Sequence, residues 1–96
     1  MLMREIIRIL QGLKKEIRHK YKAEIKGVFG SYVKGEQKEN SDIDILVLFL
    51  EGATLFDLVG LADFLEKKLL LKVDIVPIDT IREEIKDNIL KEAVYI

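Results

Sequence analysis

The chain has 96 residues, with 16 Lys and Arg against 17 Asp and Glu, a formal net charge of −1, one histidine and no cysteine. That length makes a single domain, residues 1–96, with a small core and no separate substrate-binding domain. The charge balance leaves no electrostatic footprint for direct nucleic-acid binding. The missing thiols and the single His19 exclude disulfides, thiolate nucleophiles and Cys/His zinc sites, so any metal is held by oxygen.

The opening Met1-Leu2-Met3-Arg4-Glu5-Ile6 has no continuous apolar run, so we read neither a signal peptide nor a membrane span and expect a cytoplasmic protein. Charged residues reach 34%, above the roughly 25% of an average domain. They are mostly Lys and Glu, a balance that resembles heat-adapted proteins. From Met3 to Lys20, Ile6, Leu10, Leu13 and Ile17 recur at three- and four-residue steps, predicting an amphipathic helix with His19 near its C-terminal end in a surface or capping role. Ala23 to Phe29 alternates as a short strand, and Gly30 ends it. Ser31 to Gly35 is a turn leading into a short helical segment, and Glu36 to Asn40 is a polar loop.

Ile43 to Leu50 is almost wholly apolar apart from Asp44, as in a central strand buried on both faces. Glu51-Gly52 turns the chain, and Thr54, with Asp57 three residues later, caps a helix reaching about Leu70. Its apolar residues, among them Leu55, Phe56, Leu58, Val59, Leu61, Phe64 and Leu65, exceed what one sheet face needs. The surplus fits either a docking surface or the domain's own core or a homodimer. Lys72 to Pro77 is a further strand. Asp79 or Thr80 is expected to cap a last helix through Ile81, Ile85, Ile89 and Leu90, with Ala93 to Ile96 as a tail.

Asp42 and Asp44 are two apart, so in a strand both point to one face. The strand that follows is roughly 26 Å long, and the next helix, at about 1.5 Å per residue, returns the chain most of the way. A right-handed crossover of this kind makes the two strands parallel and sets Asp74 level with Asp44. Gly30 lies a short loop from Asp42, so one sheet edge gathers the glycine turn and three acids. Asp74 sits inside Val73-Asp74-Ile75-Val76, where we expect a buried carboxylate that needs a metal or a partner such as Lys72 or Lys26. A Gly-Ser turn can hold phosphate through backbone N–H groups, and paired carboxylates can hold a divalent ion. Taken singly, each of these is also an ordinary turn or cap.

Gly30-Ser31, ten intervening residues, Asp42-Ile43-Asp44 and Asp74 one strand later together resemble the nucleotidyltransferase superfamily of DNA polymerase β. Within it the chain is similar to the minimal nucleotidyltransferases, the MNT proteins paired with HEPN partners. The resemblance implies an α/β (α+β) fold with a small mixed sheet of three to four strands flanked by helices. It implies Asp42, Asp44 and Asp74 as catalytic magnesium ligands, two ions in all, and Gly30 and Ser31 as contacts to the phosphates of ATP. Members often carry basic residues where Tyr32 and Lys34 stand, so Lys34 is the expected triphosphate contact, and Tyr32 stacks or packs. The implied activity is transfer of AMP from ATP to a hydroxyl of a HEPN toxin, a tyrosine, by an antitoxin. Masking of the partner without catalysis and transfer to a small molecule stay open as alternatives, as does assembly into a homodimer or hetero-oligomer.

Overall fold

The structure, a computed structural model describing residues 2–96, starts with helix α1 at Met3–Tyr21. Its first turn is closed by the Leu2 N–H donating to the Glu5 carboxylate at 3.1 Å. It ends at Lys22, whose left-handed backbone lets its N–H donate to the Arg18 carbonyl at 3.1 Å. The periodic apolar positions turn inward, with Ile6, Leu10 and Ile17 fully buried, while His19 is exposed. Strand β1, Ala23–Phe29, leads into the one-turn helix α2, Ser31–Lys34. Strand β2 spans Ile43–Phe49 and helix α3 spans Leu55–Leu69. The Thr54 N–H donates to the Asp57 carboxylate at 2.8 Å, as its capping spacing predicts. Strand β3, Val73–Pro77, follows, and a short 3-10 turn, Ile78–Thr80, leads to helix α4, Glu83–Glu92, and strand β4, Val94–Tyr95.

The four strands form one mixed sheet in the order β3-β2-β1-β4. β1 is antiparallel to β2 and β4, whereas β2 and β3 are parallel across the α3 crossover. α1 and α3 pack on each other and on the sheet. Between them, Leu61, Leu65 and Leu69 of α3 meet Ile6, Leu10 and Ile17 of α1 and the strand residues Ile25, Ile43, Ile45 and Val47. Each such buried Leu or Ile contributes about 2 kcal/mol. The Val73 N–H donates to the Glu66 carboxylate at 3.0 Å, which ties the end of α3 to the start of β3 and so helps set where Asp74 stands.

Two expectations are corrected. Ala93–Ile96 is not a loose tail, because Val94 and Tyr95 pair with Val28 and Gly27, and the Ile96 N–H donates to the Lys26 carbonyl at 3.0 Å. Gly27 makes room for this strand, since a Cβ there would lie 2.6 Å from the Val94 carbonyl oxygen. The last helix begins only at Glu83 with Arg82 as its cap. Asp79 and Thr80 belong to the 3-10 turn instead, where the Thr80 hydroxyl donates to the Pro77 carbonyl at 2.8 Å. Leu55, Phe56 and Val59 of α3 are 73%, 88% and 58% exposed, so the chain's own core does not consume the apolar surplus of that helix. Among the described residues, no helix is long and apolar enough to cross a membrane.

Candidate active site

The site is built where β2 and β3 begin side by side. The Ile43 N–H donates to the Lys72 carbonyl at 2.9 Å, and from there the register pairs Ile43 with Val73 and Asp44 with Asp74. Neighbouring strands lie about 4.8 Å apart, so the two carboxylates share one patch of the sheet edge. β1 runs the opposite way and pairs Phe29 with Asp44, which delivers Gly30 to the same place. Gly30 has φ +82°, a left-handed backbone that favours glycine, and a Cβ on it would collide with the Asp44 carboxylate. The acid is tucked against bare backbone, a contact that fixes glycine at position 30 before any ligand is considered.

Electrostatics set this patch apart. The Asp44 carboxyl is pushed up to about 6, first by burial, then by the charge of Asp74 and hydrogen bonding to it, and finally by the charge of Asp42. Among the described residues, no ion pair involves Asp42, Asp44 or Asp74. Asp42 is exposed just ahead of β2. Asp74 corrects the expectation of a buried carboxylate: β3 is an edge strand, Ile75 turns into the core, and Asp74 is exposed on the other side. Among the described residues neither Lys72 nor Lys26 pairs with it, and Lys26 pairs with Glu24 instead.

A divalent ion suits these residues, because clustered, partly desolvated carboxylates that form no ion pair among the described residues are stabilised by bound positive charge. Asp44 and Asp74 form the tight pair, and Asp42 acts on it through its charge. Among the described residues, no three acidic or imidazole side chains converge closely enough to make a preformed three-ligand cage. The remaining ligands of an ion would come from water or substrate oxygens, as magnesium favours.

The turn after Gly30 closes on itself, with the N–H groups of Val33 and Lys34 donating to the Gly30 carbonyl at 3.1 and 3.2 Å. The N–H groups of Ser31 and Tyr32, at the start of α2, have no acceptor inside the helix. Tyr32 is buried and joins the core, so it packs rather than stacks on a base. Lys34 ends α2 with its ammonium 3.3 Å from the Glu92 carboxylate of α4. Glu92 was not marked by any local pattern. Only the chain's return along β4 brings it to this turn.

The nucleotidyltransferase domain profile matches residues 10–96. Protein adenylyltransferase MntA of Thermococcus cleftensis is 44% identical over 98% of this chain and 95% of its own length. A solved structure assigned as a minimal nucleotidyltransferase superposes with a TM-score of 0.81 at 33% identity, covering 98% of this chain and 95% of that one. A chain from a toxin–antitoxin crystal structure with AMP-PNP superposes with a TM-score of 0.67 at 27% identity, covering 96% and 69%. The acid pair, the glycine that abuts it and these likenesses together make the chain a member of the nucleotidyltransferase family, on its minimal nucleotidyltransferase branch.

Proposed function

We propose that residues 1–96 act as one cytoplasmic domain that transfers AMP from ATP, with magnesium, to a tyrosine hydroxyl of a HEPN-family toxin, and so serve as its antitoxin. The observation that carries this reading is the level pairing of Asp44 and Asp74 beside Gly30, with no ion pair to these acids among the described residues. The adenylyltransferase relative and the AMP-PNP-bound toxin–antitoxin structure support the nucleotide and the kind of partner.

Gly30 and Ser31 hold the phosphates, and Lys34 reaches them on leaving Glu92. Asp42, Asp44 and Asp74 hold the magnesium ions, two in all, which supply charge stabilisation for an in-line displacement when bound. The acceptor oxygen attacks the α-phosphorus and forms the new P–O bond. The bond to the bridging oxygen breaks, pyrophosphate leaves, and the hydroxyl proton passes to the Asp74 carboxylate.

The test is to incubate the chain with a HEPN protein, magnesium and ATP labelled at the α-phosphate. Label on the HEPN protein, lost in Asp42→Asn and Asp44→Asn, is the expected result. The exposed Leu55, Phe56 and Val59 face gives a partner somewhere to dock in this reaction and equally in a second reading, neutralisation by binding alone. Inhibition of the toxin that survives both substitutions without label would establish that reading instead.

A further inference from the structure

The near-neutral total charge conceals a segregation along the chain. Residues 1–22 carry seven Lys and Arg against two Glu, whereas residues 23–96 carry nine Lys and Arg against fifteen Asp and Glu. The fold gathers part of the basic excess in one place. Lys14, Lys15 and Arg18 of α1 and Lys26 of β1, together with Glu24, Ile25 and Ile96, line a hollow of about 270 Å³. We propose that this hollow is a second ligand site, separate from the acids, and that it binds a compact polyanion of the oligophosphate class, free or as the phosphate chain of a nucleotide. Such a site does not depend on whether the chain transfers AMP to a protein.

The strand register separates the two sites. Glu24 pairs with Leu48, four residues beyond Asp44, which is about 14 Å along the sheet. In the hollow, the Glu24 carboxylate accepts from Arg18 Nη1 at 2.7 Å and from Lys26 Nζ at 2.9 Å. Hydrogen bonding to Lys26, then the charges of Lys26, Arg18 and Lys14, hold its carboxyl below the ordinary range, so three cations gather about one acid. One carboxylate does not balance them. Lys14 and Lys15 are in no ion pair among the described residues, and the Lys14 ammonium donates to the main-chain oxygen of Ile96 at 3.2 Å. Even with a carboxylate at Ile96, four cations would stand against two anions. Arg18 meets Glu24 through Nη1, which leaves other N–H donors of its guanidinium for a ligand.

Charge density and shape select the class of ligand. An acidic peptide brings one charge per side chain, spread along a backbone at about 3.8 Å per residue, so matching several cations takes an extended groove. This hollow is a single compact volume, just under the roughly 300 Å³ at which small-molecule pockets begin. An oligophosphate places several negative charges and many acceptor oxygens in such a volume, and Lys and Arg bind them by charge-assisted hydrogen bonds. Ile25 and Ile96 add aliphatic surface that an attached nucleoside could cover.

The test titrates tripolyphosphate into isotope-labelled protein, followed by NMR in buffer free of divalent ions. The backbone amide signals of Lys14, Lys15, Arg18, Glu24 and Lys26 should move together. The double variant Lys14→Gln/Lys15→Gln should weaken binding about tenfold, the scale of losing a charge-assisted contact. Both positions are exposed on a helix, where Gln is about as favourable as Lys, so the melting temperature should hold. Lys67→Gln/Lys68→Gln removes the same charge from α3 and should change the affinity less than about twofold, because distant surface charge is screened. Equal weakening by the two double variants means diffuse attraction only and overturns the proposal. Movement confined to Gly30–Lys34 assigns the oligophosphate to the transfer site and overturns it too, as does a glutamate-rich peptide that binds as tightly. ATP under the same conditions separates the two sources. An affinity equal to that of tripolyphosphate supports a site for the phosphates alone, and a tighter one that is lost in Lys14→Gln/Lys15→Gln supports a nucleotide site.

Discussion

Glu24 and Asp44 stand at opposite ends of the same antiparallel ladder, and their surroundings are opposite in sign. Glu24 is flanked by Arg18 at 2.7 Å and Lys26 at 2.9 Å, and hydrogen bonding to Lys26 together with nearby cations holds its carboxyl below the usual carboxylate range. Asp44 faces Asp74 and Asp42 across partly buried space and is pushed up to about 6. A carboxylate kept for structure is given cations by the fold. The one proposed for chemistry is placed among like charges, where a bound cation would supply what the fold does not.

The strongest way to break this contrast is Asp44→Asn. Nucleotidyl transfer should fall on the order of 10³-fold if that carboxylate holds the metal as proposed, and single-turnover label transfer measures it. Glu24→Gln should leave transfer intact. Gly30→Ala comes next: its Cβ has to displace the Asp44 carboxylate while the backbone stays at φ +82°. Activity should drop about 10²-fold with about 1–3 kcal/mol of stability lost, seen as a lower denaturant midpoint.

The pH dependence of stability sharpens the comparison further. Because the folded carboxyl of Asp44 titrates near 6 and the unfolded one near its ordinary 3.8, the native state binds more protons between those values. Stability from this group is therefore fully present below pH 4 and is lost as pH rises through 6. Without divalent ions, Asp44→Asn should melt higher than wild type at pH 7.5, with the gap closing near pH 4. Magnesium should raise the wild-type melting point at pH 7.5 and move the variant far less. Glu24 has the opposite sign, with a contribution present above the ordinary carboxylate pKa and lost as pH falls through its lowered value.

How much of this was legible in the sequence follows from range. β1 falls where its alternation predicted, and the Thr54–Asp57 cap is a three-residue matter. The pairing of Asp44 with Asp74 was also readable, because a strand of known rise followed by a helix of known rise leaves little freedom in where the chain returns. The exposure of Asp74 was not readable, because it depends on β3 being an edge strand, which is decided by strand order across the sheet. β4 escaped for a similar reason. Two residues carry no period, and their pairing depends on the missing side chain of Gly27, far back along the chain. Lys34 was legible as a cation beside the turn, yet its carboxylate partner comes from that same distant return.

Lys34 and Glu92 mark the boundary between the two kinds of carboxylate. Their contact at 3.3 Å looks like the Glu24 pairs, but both side chains are about half exposed, and exposed pairs of this length hold little. If the pair is a resting place for a cation meant for phosphate, then Glu92→Gln should leave the melting temperature nearly unchanged and tighten ATP binding two- to threefold by releasing the ammonium. Lys34→Gln should weaken ATP binding about tenfold, the scale of one charge-assisted contact. In the double variant, Glu92→Gln should add nothing, because its effect passes through Lys34 alone. Titration with AMP-PNP and magnesium reads all three. An effect of Glu92→Gln that persists without Lys34 would place Glu92 with Asp44, as an acid acting directly on the site, rather than with Glu24.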